Sequence, residues 1–293
     1  MNRFKIKLYR HIESLIKKII RFKKNLNNEN LDRAIRSAIY HTSTEGKKTL
    51  FLDYKNSQYF MEAQDHISKG LFINANWNFK VLDKALKLIG KKKSSSTLIN
   101  VGAHIGSTCI PAIKKGYFKK AIAFEPSRKN CSMLKANIHL NMIEDKIKVY
   151  NLALSNEKKK IYLKKFGKNS GDVRVLKKIQ KNSEIAFADI LDNYTSKFNK
   201  KNSIIFMYAQ GHEPEIFMGA KKTIRKKIPI IVEFIPWLFN KRWLNKSKHL
   251  FNNYNYFYDL KKNEKRKKFE PNEIIRLHDE YIVKNNYTDI LIL

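Results

Sequence analysis

The stretch Thr97-Leu-Ile-Asn-Val-Gly-Ala-His-Ile-Gly-Ser-Thr-Cys109 decides the fold of this chain. It begins with a short apolar run, residues 98–101, which predicts a buried strand. Two glycines, Gly102 and Gly106, follow that run and lead into the segment 107–115, which predicts a helix. The stretch therefore predicts a strand, a glycine-containing bend and a helix in immediate succession.

A second apolar run follows in Ala121-Ile-Ala-Phe-Glu-Pro126 and ends at an acidic residue, Glu125. Strand, glycine bend, helix, strand and acid form the βαβ layout of sites for nucleotide-like ligands. In that layout glycine admits the backbone close to the ligand, and the start of the helix offers free N–H groups. The acid can bind both hydroxyls of a ribose.

The spacing of the two glycines narrows the choice of ligand. It is Gly-x-x-x-Gly and not the Gly-x-Gly-x-x-Gly of dinucleotide-binding loops, so a pyrophosphate site is not specified. A ligand with a ribose and no pyrophosphate fits better, and S-adenosylmethionine is the obvious candidate. The alternative is that Gly102 and Gly106 only form a tight turn between strand and helix.

Three ordered motifs resemble the FkbM-type methyltransferases: Ile99-Asn-Val-Gly-Ala-His-Ile-Gly106, Ala123-Phe-Glu-Pro126 and Gln210-Gly-His-Glu-Pro214. The segments 134–137 and 151–155 resemble that family as well. The resemblance implies an α/β fold with a Rossmann-like class I methyltransferase sheet, mostly parallel and with helices on both faces. It also implies seven strands, the last inserted antiparallel, and O-methylation of a sugar, a glycan or a related small molecule with S-adenosylmethionine as cofactor.

The resemblance also implies which residues hold the cofactor. The loop after the first core strand would cradle the methionine part, and the acid would clasp the ribose diol. The residues concerned are Asn100, Gly102, Ala103, His104, Gly106, Ser107, Glu125, Pro126 and Ala153, the last lying in the segment 151–153 that would border the adenine.

His212 and Glu213 follow the predicted fourth core strand, where acceptor chemistry takes place in this fold. We expect one of them to be the catalytic base, and His212 has an ordinary pKa near neutral. The alternative is that Glu213 only begins a helix and that His212 is a packing residue. Asp172 and Arg174 could reach the acceptor from a loop, or that loop could be solvated.

Two positions depart from the pattern of the family, which usually has Asp where this chain has Asn100 and Tyr208. Asn100 can form hydrogen bonds but carries no charge. Tyr208 replaces a carboxylate with a phenol, whose ordinary pKa of about 10 makes it a poor base. The second hypothesis is therefore a catalytically degenerate relative that binds cofactor or acts as a scaffold at a membrane surface.

The chain has 293 residues, enough for one large domain with an extension, and a formal net charge of +34. Such a charge can indicate a polyanionic partner, but the lysines are spread along the whole length. No base-flipping motif or RNA-binding module accompanies the charge, so no nucleic-acid partner is expected.

The two cysteines, Cys109 and Cys131, cannot form a disulfide framework and indicate a reducing, cytoplasmic location. The eight histidines are scattered, so no metal site is expected.

Residues 1–24 predict a basic amphipathic helix, because apolar residues recur at steps of three and four among lysines and arginines. No apolar run is long enough to span a bilayer or to form a signal peptide. One hypothesis is peripheral contact with the anionic inner face of a membrane, and the other is packing on the catalytic domain or a partner chain. The predicted organisation is 1–30 helix and linker, 31–93 N-terminal cap region and 94–293 Rossmann-like methyltransferase domain.

Periodicity predicts most of the remaining elements. They are helices over 31–40, 79–89, 131–140 and 272–284 and one starting at Glu213, a hairpin over 49–53 and 57–61, an edge strand or hairpin arm over 159–165, a loop over 170–175, and strands over 146–154, 203–208, 228–235, 255–260 and 288–293. The family resemblance implies a short helix over 188–192, before the fourth core strand.

Overall fold

The computed structural model describes residues 11, 13–18, 29–54, 56–74, 77–90, 96–238, 241–262 and 265–293. Of the predicted helix over 1–24, residues 13–18 are helical, and Lys17 pairs with Glu13 at 2.6 Å. The rest of that prediction falls mainly on residues outside the described part of the chain. Among the residues described, no helix is long and apolar enough to cross a bilayer.

The helices in chain order are α1 (Glu29–Thr44), α2 (His66–Asn74), α3 (Phe79–Leu88), α4 (Cys109–Lys114), α5 (Arg128–Leu140), α6 (Glu213–Met218), α7 (Lys221–Arg225), α8 (Lys241–Lys246), α9 (Lys248–Phe251) and α10 (Pro271–Val283). The strands are β1 (Thr49–Tyr54), β2 (Ser57–Glu62), β3 (Thr97–Val101), β4 (Lys120–Phe124), β5 (Ile147–Tyr150), β6 (Ala153–Leu154), β7 (Lys159–Lys165), β8 (Val173–Leu176), β9 (Glu184–Asp189), β10 (Ser203–Met207), β11 (Ile230–Phe234), β12 (Tyr256–Asp259), β13 (Arg266–Lys268) and β14 (Thr288–Ile292). Short 3-10 turns cover Leu191–Tyr194 and Pro236–Leu238.

The central sheet has the strand order β13-β12-β14-β11-β10-β3-β4-β5. Strands β11, β10, β3, β4 and β5 are parallel, and β14 is inserted antiparallel between β11 and β12. This confirms the predicted Rossmann-like sheet and its inserted last strand. The sheet has one strand more than expected, because the short β13 pairs antiparallel with β12.

Both faces of the central sheet are buried, as near-continuous apolar runs in parallel strands require. Alternation along β10 places Ile204 and Phe206 in one core cluster and Ile205 and Met207 in the other. The first cluster includes α3, α4 and α5, and the second includes α6, α7 and α10. Helices on both faces are thereby confirmed.

The predicted hairpin is confirmed as β1 and β2, paired antiparallel with Thr49 opposite Glu62. Two asparagines, one in α5 and one directly after it, fasten the hairpin to α5 on the central sheet. The Asn137 side chain accepts from the Phe60 N–H at 2.6 Å and donates to the Phe60 carbonyl at 3.0 Å. Asn141 makes the equivalent pair of bonds with Gln58. The predicted boundaries after residues 30 and 93 stay predictions.

A second sheet, with the order β6-β9-β7-β8, corrects the predicted strand over 146–154. That segment divides into β5 of the central sheet and β6 of the second sheet. The division lies at Asn151, whose amide donates to the carbonyls of Glu125 (2.8 Å) and Pro126 (3.2 Å). These bonds fasten the chain to the end of β4 instead of letting it continue along the sheet.

The segment 159–165 is a hairpin arm as predicted, but it is not an edge strand, because β7 pairs with both β9 and β8. The edge on this side of the sheet is β8, and three of its four residues, 173–175, lie in the segment predicted as a loop. The predicted helix over 188–192 is likewise wrong at its start, where Ala188 and Asp189 end β9. The Asp189 carboxylate instead accepts bonds from the 3-10 turn that follows, including one from the Tyr194 hydroxyl at 2.8 Å.

Candidate functional site

The bend after β3 depends on two glycines with positive φ, 76° at Gly102 and 92° at Gly106. A Cβ at Gly102 would lie 1.9 Å from the backbone oxygen of Tyr208. A Cβ at Gly106 would lie 2.5 Å from the side chain of Ile110 and 2.9 Å from that of Leu134. Gly102 is therefore required by a close backbone contact as well as by its conformation, whereas the contacts at Gly106 are with side chains that can shift, so its positive φ is the main reason for glycine there.

Glu125 follows β4 and turns its carboxylate to this bend. One oxygen accepts the backbone N–H of His104 at 2.8 Å, and the other accepts the N–H of Ser127 at 3.0 Å. The residue is only 4% exposed, and burial raises the pKa of Glu125 to about 7 against the opposing effect of these hydrogen bonds. A carboxylate has about four acceptor positions, so two N–H bonds leave capacity for a ligand.

His104 lies in the bend with a positive φ of 52° and a buried side chain. Its Nε2 is 2.8 Å from the Ser170 hydroxyl, and burial lowers the pKa of His104 to about 4, so the ring is neutral. Ser170 is itself fixed from two sides: its N–H donates to Asp65 at 2.5 Å and its carbonyl accepts from Asn130 at 3.0 Å. The bend, the second sheet and the N-terminal region thus meet at one polar contact.

A cleft opens at the carboxyl ends of β3, β4 and β10. This is where ligands of open α/β sheets bind. Apart from Glu125, its walls are mainly apolar or backbone. The lining comprises Val101, Gly102, His104, Phe124, Glu125, Pro126, Asn130, Leu152, Ala153, Leu154, Leu163, Gly171, Val173, Val175, Tyr208, Ala209, Gln210, His212 and Ile216.

The predicted cofactor residues divide into two groups. Five of them line the cleft: Gly102, His104, Glu125, Pro126 and Ala153. The other four are not part of the lining: Asn100, Ala103, Gly106 and Ser107. The Asn100 side-chain oxygen is buried and accepts no hydrogen bond among the described residues, which makes it the one member of the second group with an unused polar atom.

The sequence of the domain that carries this cleft matches the family model of the methyltransferase FkbM domain over residues 100–281. That range exceeds half of the 293 residues.

The chain belongs to the FkbM methyltransferase family.

Solved methyltransferases show distant similarity. The FkbM methyltransferase from Methylobacillus flagellatus is 15% identical, with a TM-score of 0.46, and the match covers 69% of this chain but 45% of that protein. P. horikoshii TYW2 in complex with MeSAdo is 15% identical, with a TM-score of 0.39 and coverage of 84% and 70%. A putative SAM-dependent methyltransferase from Streptococcus mutans is 10% identical, with a TM-score of 0.43 and coverage of 84% and 56%. No curated protein matches the chain.

In this FkbM family member the two predicted catalytic residues differ in position. His212 lines the cleft, with Nε2 3.0 Å from the Ser155 hydroxyl and Nδ1 3.9 Å from a carboxylate oxygen of Glu215. Glu213 is buried, accepts the Ala209 N–H at 2.8 Å and lines a separate small crevice. Burial raises the pKa of Glu213 to about 7. Position favours His212 as the base, and both assignments stay predictions.

Tyr208, where the FkbM family usually has Asp, donates its hydroxyl to the carboxylate of Asp289 on β14. Burial raises the pKa of Asp289 to about 6 and raises that of Tyr208 well above its ordinary value. A carboxylate is therefore present beside this position, supplied by a strand 81 residues away in sequence. Nearby, Gln210 donates to Glu233 at 2.9 Å, and burial raises the pKa of Glu233 strongly.

Several lining residues were not predicted. Asn130 in the first turn of α5 hydrogen-bonds to Ser170 and lowers the pKa of Glu125, but an asparagine there is ordinary in a helix start. Val173 and Val175 project from β8, whose alternating pattern 173–176 was the available indication. Asp172 and Arg174 pair with each other, at 2.6 and 3.0 Å. The described residues contain no group of three His, Cys, Asp or Glu side chains that could hold a metal ion.

Proposed function

We propose that this protein is an S-adenosylmethionine-dependent O-methyltransferase that acts on a hydroxyl of a sugar, a glycan or a related small molecule. The observation that carries the proposal is the buried Glu125 carboxylate, held by the His104 and Ser127 N–H groups in the wall of the cleft. A carboxylate in this position suits a pair of ribose hydroxyls.

The residues present fit the cofactor. Glu125 would hold the ribose, the apolar side chains of Leu152 and Ala153 would lie against the adenine, and the bend at Gly102–His104 would take the methionine part. The buried, unused oxygen of Asn100 stands behind that bend. When bound, S-adenosylmethionine supplies an electrophilic methyl group on a sulfonium centre.

The chain's own part in the reaction is to orient the acceptor hydroxyl and to take its proton. His212 fits the second task because its imidazole lies on the cleft wall and has a hydroxyl and a carboxylate as neighbours. Glu215 would stabilise the imidazolium that forms, and Lys246, 2.8 Å from the other carboxylate oxygen, fixes Glu215. Tyr208 and Asp289 form a second polar pair at the end of β10, close to the acceptor side.

Calorimetry with S-adenosylmethionine tests the cofactor site. Glu125→Gln should weaken binding about tenfold or more, because a charge-assisted contact is lost while the shape is kept. Glu144→Gln is the matched control, since Glu144 is an exposed carboxylate before β5. Circular dichroism of both variants separates lost binding from lost folding. Equal affinity in Glu125→Gln and the unaltered protein would refute the ribose role.

The second candidate is a degenerate relative that binds cofactor without turnover. The pairing of Tyr208 with Asp289 favours it, because that pairing occupies the position of the usual carboxylate. Formation of S-adenosylhomocysteine over a panel of sugars and glycans separates the two. Turnover with any acceptor excludes the degenerate form, whereas tight cofactor binding without turnover over the panel supports it. Sedimentation of the full chain with anionic vesicles, before and after removal of residues 1–24, tests peripheral membrane contact.

A further inference from the structure

A wide groove opens next to the cleft, with a volume of about 610 Å³. We call it the basic groove and define it by Lys160, Tyr162, Arg174, Lys177, Trp237 and Lys246. One wall is formed by the start of β7 and the end of β8, and the other by the 3-10 turn Pro236–Leu238 and α8. Gln210 and His212 line both the groove and the cleft, so a molecule in the groove reaches the proposed base directly.

The lining of the groove is more cationic than the chain as a whole. Lys159, Lys160, Arg174, Lys177 and Lys246 contribute five cations, and Glu215 is the one carboxylate. Over the whole sequence the ratio is 60 to 26. A concave surface of one sign concentrates ligands of the opposite sign.

Three of these five cations form ion pairs with neighbouring carboxylates among the described residues, and the other two do not. Lys246 pairs with Glu215 at 2.8 Å, Arg174 with Asp172 and Lys159 with Glu157 at 2.9 Å. Lys160 and Lys177 are both exposed and form no ion pair within the described part of the chain. They line the groove from the start of β7 and from directly after β8, so an anionic group of a ligand in the groove would meet ammonium groups that no neighbouring carboxylate in the described ranges neutralises.

The groove also contains an aromatic platform. The indole of Trp237 is 52% exposed, which is unusual for so large an apolar side chain, and it belongs to the wall opposite β7. The C–H face of a pyranose packs on such a ring. The amides of Asn156 and Gln210 add hydrogen-bonding groups for hydroxyls. Cations, an exposed indole and amides together suit a saccharide that carries negative charge.

We propose, on the premise of the methyl transfer argued above, that the acceptor is an anionic saccharide bearing carboxylate or phosphate groups. Its charged group lies between Lys160 and Lys177, a sugar ring packs on Trp237, and the hydroxyl to be methylated points to His212. A single nucleic-acid strand is the less suitable occupant. Such a strand requires successive stacking platforms along a basic track, whereas among the described residues of the groove Trp237 is the one exposed aromatic side chain and Tyr162 is half-buried.

Calorimetry of the full chain at low and physiological salt tests the proposal with four probes. Tetragalacturonate carries carboxylates, UDP-glucose carries phosphates, maltotetraose is a neutral saccharide and a 12-nucleotide RNA is the competing polyanion. At least one of the two anionic saccharides should bind about tenfold more tightly than maltotetraose, or tighter still. Whether that saccharide is tetragalacturonate or UDP-glucose identifies the recognised anion as carboxylate or phosphate.

Two variants locate the binding. Lys160→Ala with Lys177→Ala should weaken the anionic saccharide about tenfold and leave S-adenosylmethionine affinity unchanged. The matched control is Lys119→Ala with Lys120→Ala, which removes the same charge at the opposite, amino-terminal end of β4. Trp237→Ala should weaken every saccharide that binds, charged or neutral.

Four results would overturn the proposal. Neither anionic saccharide binds, or maltotetraose binds as tightly as the anionic saccharides do. The two double-lysine variants lose equal affinity for the anionic saccharide, or RNA binds more tightly than the saccharides and loses that binding in Lys160→Ala with Lys177→Ala. Failure of the proposed function has a different signature. In that case the unaltered protein does not bind S-adenosylmethionine, whatever the groove binds.

Discussion

Replacement of Gly102 by alanine tests whether the bend after β3 depends on the close approach of the Tyr208 backbone as well as on the positive φ of the glycine. At a φ of 76° an L-residue is strained, and its Cβ would lie 1.9 Å from the backbone oxygen of Tyr208. Ordinary carbon–oxygen contacts are well over an ångström longer, and neither partner is a flexible side chain. The end of β3 and the end of β10 must therefore separate in the variant.

The expected loss of stability in Gly102→Ala can be judged against a glycine with a similar backbone conformation but no close contact. Gly116 has a nearly equal φ of 71°, but a Cβ there would meet nothing within 4 Å. Gly116→Ala should lower the free energy of unfolding by about 1 kcal/mol, the cost of backbone strain alone. Gly102→Ala should lower it by about 3 kcal/mol or more, because overpacking against a fixed backbone adds to the strain.

Urea unfolding of both variants measures the difference, and calorimetry with S-adenosylmethionine measures its effect on the site. Most domains have 5–15 kcal/mol of stability, so Gly102→Ala should still fold and remain measurable. Its cofactor affinity should fall, since the N–H that Glu125 accepts belongs to the same bend, whereas Gly116→Ala should bind normally. Equal destabilisation by the two substitutions would show that the contact with Tyr208 has no energetic role.

Three further predictions concern other parts of the site. Glu213 has a pKa near 7 in the folded state, above its unfolded value, so folding stabilises its neutral form. The free energy of unfolding should therefore fall by up to about 3 kcal/mol as the pH rises from 5 to 8. In urea unfolding over this pH range, stability should depend less on pH in Glu213→Gln, but not in Glu144→Gln. Asn137→Ala should lower the free energy of unfolding in urea by about 3 kcal/mol, because it removes three hydrogen bonds of a fully buried side chain. A loss below about 1 kcal/mol would contradict that accounting. His212→Ala should lower kcat by about a hundredfold or more, measured as formation of S-adenosylhomocysteine. The control is His249→Ala, which should retain kcat because the His249 imidazole contacts the Phe217 carbonyl outside the cleft. Full turnover in His212→Ala would exclude His212 as the base.

The central sheet was predictable because each of its long strands is a compact apolar run. Thr97–Val101 and Ser203–Met207 are buried over nearly their whole length, and such runs are visible without knowledge of the tertiary structure. The order of strand, bend, helix, strand and acid then placed Glu125 at the bend. This part of the site is local in sequence, within 24 residues of Gly102.

The second sheet was harder to predict because its limits are set by polar contacts between distant residues. Asn151 ends β5 by bonding to backbone 25 and 26 residues earlier, and no period marks that residue as a strand end. Ser170 is positioned by Asp65, 105 residues away, and Asp289 reaches Tyr208 over 81 residues. Single side-chain contacts of this range leave no repeating pattern in the sequence.

The wall of the cleft formed by β8 is held by fewer strand pairings than the walls formed by the central sheet. Each parallel strand beside the bend is paired on two sides, whereas β8 is paired on one side only, through four residues of β7. Opening that wall breaks one short ladder and leaves the central sheet whole. Under the function proposed above, spent cofactor would be exchanged for fresh cofactor at the periphery. The backbone amides of Val173–Leu176 should take up deuterium well before those of Thr97–Val101. The proposed turnover and the resistance to unfolding would consequently be set by separate parts of the molecule.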